Sequence, residues 1–175
     1  MLRWISDWIF WLYDWCYIRW YRLNRPESRA GNVILFHLTT RGGEQIVSIH
    51  INQEKTREMQ KTAPTGRATI KLRRDFAQSL RILAHALATR PRYRNVCAIT
   101  GNTVLYREAE YFGFDVIPRR GPGIVERLAM ANAEALILRI RKSKSPNTPP
   151  IRKHRRAYEI RMSREYLLSH YFPKP

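Results

Sequence analysis

The sequence predicts an α/β fold: a single small mixed-sheet domain with flanking helices and an N-terminal amphipathic aromatic helix. Three observations predict it. Apolar runs of strand length alternate with stretches whose apolar residues recur every three or four positions. The chain has 175 residues, 44% of them hydrophobic, which is enough for one domain with a real core and too little for two. All five tryptophans fall within the first twenty residues, which sets that segment apart from the rest.

In the first segment Trp4, Ile5, Trp8, Ile9, Trp11, Leu12, Trp15, Cys16 and Ile18 cover a broad face of a helix, with Arg3, Asp7 and Asp14 opposite. A spanning helix needs about 20 predominantly apolar residues. Asp7 and Asp14 interrupt this one, so it is expected to lie on a surface rather than to cross a bilayer. The same aspartates break what would be a signal-peptide core, and no small-residue cleavage site follows, so export by that route is not expected. Tryptophan and tyrosine favour the headgroup level, because each joins an apolar body to a hydrogen-bonding edge. Arg19, Arg22, Arg25 and Arg29 follow, where a basic cluster meets anionic lipid at about 1 kcal/mol per charge. The expected membrane contacts are Trp4, Trp8, Trp11, Trp15, Arg19 and Arg22. The alternative is that this face packs against the domain or against a protein partner.

Residues 1–30 thus read as an anchor helix with a basic linker, and residues 31–175 as a basic α/β domain. After a turn at Arg25-Pro26-Glu27-Ser28, two strand-like runs at 33–40 and 45–51 flank Gly42-Gly43, which reads as a hairpin. Val47, Ile49 and Ile51 share one face of the second run; Ile46, Ser48 and His50 share the other. A short helix is expected over 53–61. A long amphipathic helix carries Leu72, Phe76, Leu80, Leu83 and Leu87 inward and Arg74, Gln78, Arg81 and His85 outward, ending before Pro91. Residues 95–100 read as a buried strand, Thr100-Gly101-Asn102-Thr103 as a turn and cap, 104–112 as a helix stopped by Gly113, and 114–117 as a strand. A second turn at Arg119-Arg120-Gly121-Pro122-Gly123 opens a helix over 124–141. Residues 142–156 read as a flexible basic loop, 157–162 as a last strand, and Ser163 as the cap of a final helix with Glu165 in its first turn.

The formal charge of +18, from 32 Lys and Arg against 14 Asp and Glu, draws anionic partners. Residues 139–175 hold eleven basic and two acidic side chains, half of the excess. Anionic lipid is the first expected partner, and the cytoplasmic face of a membrane the expected location. Nucleic acid is the second, through residues 139–156, although no aromatic side chains interleave that run as a stacking platform requires. Cys16 and Cys97 have no partner at disulfide-framework or zinc spacing, so a reducing compartment fits, and neither a metal site nor a cofactor is indicated.

No complete catalytic signature is present. The two glycine-containing turns before helices are the natural anion sites, because the first N–H groups of a helix lack internal partners. The expected lining of an anionic site is His50, Asn52, Thr100, Gly101, Asn102, Thr103, Arg119 and Arg120. Residues 119–123 resemble the Arg-x-Gly-x-Gly loop with which acetyltransferases hold coenzyme A. Tyr106 with Tyr111 to Phe114 resembles their later Tyr-x-x-x-Gly-Phe element, but here the two occur in the opposite order. A transferase using a phosphate-bearing donor such as acyl-CoA is therefore a further alternative. His37 and His50 lie on neighbouring strands and can face each other, as an acid/base pair, as part of a metal site, or as structural histidines. Cys97, inside an apolar strand, and Ser163, a cap, have no nucleophile motif.

Several pieces taken together in order resemble the YkoP-like domain, a bacterial family found alone or attached to polysaccharide deacetylases. They are the strand ending in His50, Ser79-Leu80-Arg81 to Ala84, Gly101-x-Thr103-x-Leu105, Gly113-Phe114, and Met162-Ser163-Arg164-Glu165-x-Leu167. The family's His-x-x-Asn is met here by Gln53, with Asn52 one place earlier. The resemblance implies an α/β domain, a bacterial source and a link to envelope polysaccharide or lipid metabolism, and implies no particular reaction. The expected function is that of a peripheral membrane protein binding an anionic lipid or lipid-linked glycan.

Overall fold

A computed structural model of the chain describes residues 25–62, 67–103, 106–118 and 158–172, together with Leu12, Trp15, Cys16, residues 18–20 and Leu23. Its centre is a six-stranded sheet of β1 (Arg29–Ala30), β2 (Ile34–Arg41), β3 (Glu44–Ile51), β4 (Val96–Thr103), β5 (Asp115–Pro118) and β6 (Tyr158–Ser163). The strand order is β1-β2-β3-β4-β6-β5. Only the β3–β4 pair is parallel; the others are antiparallel. A parallel pair needs a long crossover, and helices α1 (Gln53–Thr62) and α2 (Arg67–Thr89) lie within it. The sheet is thus mixed and the fold α/β, as the alternation of elements predicts.

The β2–β3 hairpin closes on Gly42 and Gly43, at φ 59° and 82°. Two central residues with positive φ are what a two-residue turn needs if it is to match the twist of its strands. That turn fixes a register in which Phe36 faces Ile49 and His37 faces Ser48. Ile34, Phe36, Val47 and Ile49 then point to one side with Val96, Ile99, Ile160 and Met162, where Leu80, Leu83, Ala84 and Leu87 of α2 complete the core. The outward residues Arg74, Gln78, Arg81 and His85 are exposed.

Two further helices close the same face. Helix α3 (Tyr106–Tyr111) is followed by Gly113 at φ 84°, the expected stop, and buries Phe112 against Phe76 of α2 at 4.8 Å between ring centroids. Helix α4 (Arg164–Tyr171) starts at the expected cap: the Tyr166 N–H donates to Ser163 Oγ at 3.1 Å, Glu165 sits in the first turn, and Leu167 is buried. Tyr171 ties α4 to the end of α3 by donating its hydroxyl to the Phe112 carbonyl at 2.9 Å.

Two expectations are corrected. Residues Thr100 to Thr103 are not a turn: β4 continues through them, because they pair with Arg161 to Tyr158 of β6. The glycine that suggests a turn serves packing instead, since a Cβ on Gly101 would sit 3.0 Å from both Ile49 Cγ1 and the Ile49 carbonyl oxygen. Cys97 is exposed rather than interior. The β3–β4 register shifts at Gln45/Ile46, so Val96 and Ala98 find partners while Cys97 bulges outward. The helix expected over 124–141 and the loop at 142–156 lie outside the described residues.

Candidate functional site on the sheet

Every described helix that contributes to the core packs on one face of the sheet, so chemistry on the other face is set by strand parity. There, alternate residues of β2 and β3 place Leu35, His37, Ile46, Ser48 and His50 side by side. Leu35, Ile46 and Ala98 are buried on this face, yet none belongs to the core cluster beneath the helices. His37 and His50 stack, with ring centroids 5.5 Å apart and planes within 4° of parallel. Ser48 Oγ lies 3.3 Å from His50 Nε2. Burial, reinforced by the neighbouring His37, pushes the His50 pKa down to about 3, and burial also lowers that of His37. Both rings are therefore neutral at neutral pH. A neutral imidazole offers one donor and one acceptor rather than a positive charge, so this pair does not attract anions by charge.

The remaining sequence-derived lining separates into roles. Asn52 directly follows β3 and caps α1: its Oδ1 accepts from the Lys55 N–H at 3.3 Å, and its carbonyl accepts from the Thr56 hydroxyl at 2.8 Å. Thr100 is buried beside Ser48, its register partner. Asn102 and Thr103 lie at the carboxyl end of β4, level with the end of its parallel neighbour β3 where His50 and Asn52 lie. Gly101 faces the opposite side, against Ile49 and Ile160. Arg119, Arg120, Trp4, Trp8, Trp11 and Arg22 lie outside the described residues.

Sequence reasoning singled out the histidine pair but missed its neighbours across the sheet. Thr100 pairs with Arg161, and Arg161 with Asp115. Arg161 in turn holds Glu44 at 2.9 Å, and Arg41 pairs with Glu159. These pairs join corners that lie diagonally across the strands, which the right-handed twist of a sheet brings together over one face. Only the parity of two strands far apart in sequence reveals them. Among the described residues no group of three or more His, Cys, Asp or Glu is placed to hold a metal ion. The Cys97 thiol, though exposed, is pushed up by partial desolvation against its neighbours and by Glu44, which moves it away from nucleophile character.

The model of one family, the YkoP domain, matches residues 4–171. The chain belongs to the YkoP family. Neither the curated proteins nor the solved structures searched contain a match. In this YkoP domain, most of the residues that carry the resemblance are scaffold. Ser79 is buried and donates to the Asp75 carbonyl at 2.7 Å, in a place so tight that a Cβ on Gly31 would lie 2.7 Å from its hydroxyl. Leu80 and Ala84 are core, Gly113 ends a helix and Ser163 begins one. His50, of the same set, is not scaffold of this kind: its imidazole lies on the other face, stacked on His37.

Proposed function

We propose that this YkoP domain is a peripheral membrane protein, held on an anionic lipid surface, at the cytoplasmic face, by its N-terminal aromatic segment. One observation carries the reading. Leu12, Trp15 and Trp20 belong to helical turns of that segment and leave 37%, 49% and 82% of their surfaces exposed, while the Arg19 guanidinium lies 5.7 Å from the Trp15 ring centroid. Large apolar side chains exposed together mark a contact surface, and aromatic rings beside arginine suit the headgroup layer, where one meets acyl chain and the other phosphate. The net charge of +18 favours anionic over neutral lipid. No described helix is long and apolar enough to cross a membrane.

The test is flotation on liposomes of neutral phosphatidylcholine and of the same lipid with phosphatidylglycerol, with nucleic acid removed beforehand. Full-length protein floats with the anionic vesicles, and the Trp15→Ala/Trp20→Ala variant loses most of the bound fraction. Flotation of neither would assign the aromatic segment to a protein partner. Binding that survives in the variant and disappears with salt would leave only the basic surface, the nucleic-acid alternative being its next test.

A further inference from the structure

Two stretches of the chain share the pattern Arg-Pro-x-x-Arg: Arg25-Pro26-Glu27-Ser28-Arg29 and Arg90-Pro91-Arg92-Tyr93-Arg94. Each folds into a single 3-10 turn, Pro26–Ser28 and Pro91–Tyr93, with proline in its first position and an arginine at either end. Proline holds the residue before it extended, as Arg25 at ψ 145° and Arg90 at ψ 122° are, and in both turns the N–H of the closing arginine donates to the proline carbonyl. Core residues fix the turns to the domain: Tyr93 belongs to the second, and Ala30 directly follows the first. Although 65 residues separate them in sequence, the turns touch, the Arg92 guanidinium donating to the Glu27 carbonyl at 3.4 Å. The result is one small surface with five exposed arginines, Arg25, Arg29, Arg90, Arg92 and Arg94. Glu27, the one carboxylate in the two turns, lies 3.6 Å from Arg25, so five cations less one anion leave four positive charges. Lys55, which stands near Arg29, is held by Glu58 at 2.7 Å.

We infer that the paired Arg-Pro-x-x-Arg turns are a second membrane contact, which binds the phosphates of anionic lipid headgroups and fixes how the domain sits on the bilayer. This rests on the membrane reading above. The turns adjoin the aromatic segment: Leu23, two residues before Arg25, is fully buried, and its N–H donates to the Ile18 carbonyl at 2.8 Å. That bond ties the helical turns holding Trp15 and Trp20 to the domain beside Arg25. Five residues of chain reach at most about 17 Å, so a membrane that meets Trp20 has Arg25 close to its headgroups. A guanidinium presents a planar fork of donors that fits phosphate oxygens, and turns held rigid by proline and by core neighbours present several such forks without the cost of ordering a loop. One aromatic helix leaves the domain free to swing about its joint. A second contact removes that freedom.

The test compares two triple variants of the full chain, each of which lowers the net charge by three, from +18 to +15. One is Arg90→Gln/Arg92→Gln/Arg94→Gln; the other is Lys71→Gln/Arg73→Gln/Arg74→Gln on α2, at sites roughly 24 Å or more along the helix from Arg90. Affinity for vesicles of phosphatidylcholine with phosphatidylglycerol is measured by flotation over a lipid series at physiological salt, after nuclease treatment. The turn variant should bind about tenfold more weakly than the parent or worse, and the α2 variant nearly as well as the parent, since charges that far apart are screened from each other. Arg90→Lys/Arg92→Lys/Arg94→Lys should bind more tightly than the glutamine variant, which separates loss of charge from damage to the turn. Equal weakening by the two glutamine triples would overturn the inference and leave the membrane reading intact, because net charge alone would then act. A turn variant that floats like the parent but has lost affinity for DNA would also overturn it and assign the turns to nucleic acid. A parent protein that does not float defeats the membrane reading itself, and this inference with it.

Discussion

His37 and His50 illustrate how much one pair of side chains can decide. Two neutral rings stacked at 5.5 Å cost little, whereas two imidazolium ions at that distance on a largely buried face repel each other and lack water. The consequence for stability has a definite sign. In the unfolded chain these rings bind protons near pH 6.5, but folding holds His50 neutral down to about 3. Below 6.5 the unfolded state therefore binds more protons than the folded one, and stability falls as pH falls. The contribution is fully present above pH 6.5 and is lost toward pH 3, with a limiting slope of about 1.4 kcal/mol per pH unit for one such group. Urea denaturation at pH 7.5, 5.5 and 4.5 checks this. His50→Gln should flatten the profile between 6.5 and 4.5 relative to the parent, and an equally steep profile in the variant would assign the acid sensitivity to other groups.

The elements show where local chemistry and packing coincide. At the end of α3, Gly113 adopts φ 84°, which a side chain disfavours, and a Cβ there would also stand 2.3 Å from Cε1 of Tyr166 on α4. Gly113→Ala is thus expected to lower stability by about 2 kcal/mol or more, through both backbone strain and collision. Tyr166→Ala removes the obstacle, so the double variant should lose less than the sum of the two single changes, as a thermal-melt mutant cycle can measure. Strict additivity would mean that the ring moves aside at no cost. This site also marks the boundary of what the sequence reveals. The helix stop at Gly113, the cap at Ser163, the glycine hairpin and the inward stripe of α2 are written locally, in residues a few positions apart, and all are legible. Gly101 misleads because the same residue type serves a turn or a close approach, and only the presence of Ile49 on the neighbouring strand decides between them. His37 and His50 meet through a hairpin, so their stacking is foreseeable from period-two alternation. Arg161 and Asp115 come level with Thr100 through pairings between strands distant in sequence, which no spacing encodes.

At the scale of the whole molecule, charge acts on folding and on surface binding with opposite signs. A net charge of +18 on 175 residues repels itself in the compact state. The ion pairs that strap the sheet diagonally, Arg41 with Glu159 and Arg161 with Glu44, offset little of this, since most of their groups are well exposed and such pairs contribute roughly 0–1 kcal/mol. Added salt screens the repulsion once the Debye length falls to about 10 Å, near 0.1 M. The melting temperature should therefore rise between about 20 and 300 mM NaCl, while attraction to anionic vesicles falls over the same range. The aromatic contribution is not electrostatic and does not follow that trend. Vesicle binding should consequently decline to a plateau rather than to zero, and Trp15→Ala/Trp20→Ala should lower the plateau while leaving the slope with salt unchanged. Vesicle co-sedimentation across the salt series, with melting followed by circular dichroism on the same samples, separates the two components. If binding in the parent falls to zero while the protein becomes more stable, charge alone holds it at the surface, and the exposed tryptophans belong to a protein contact.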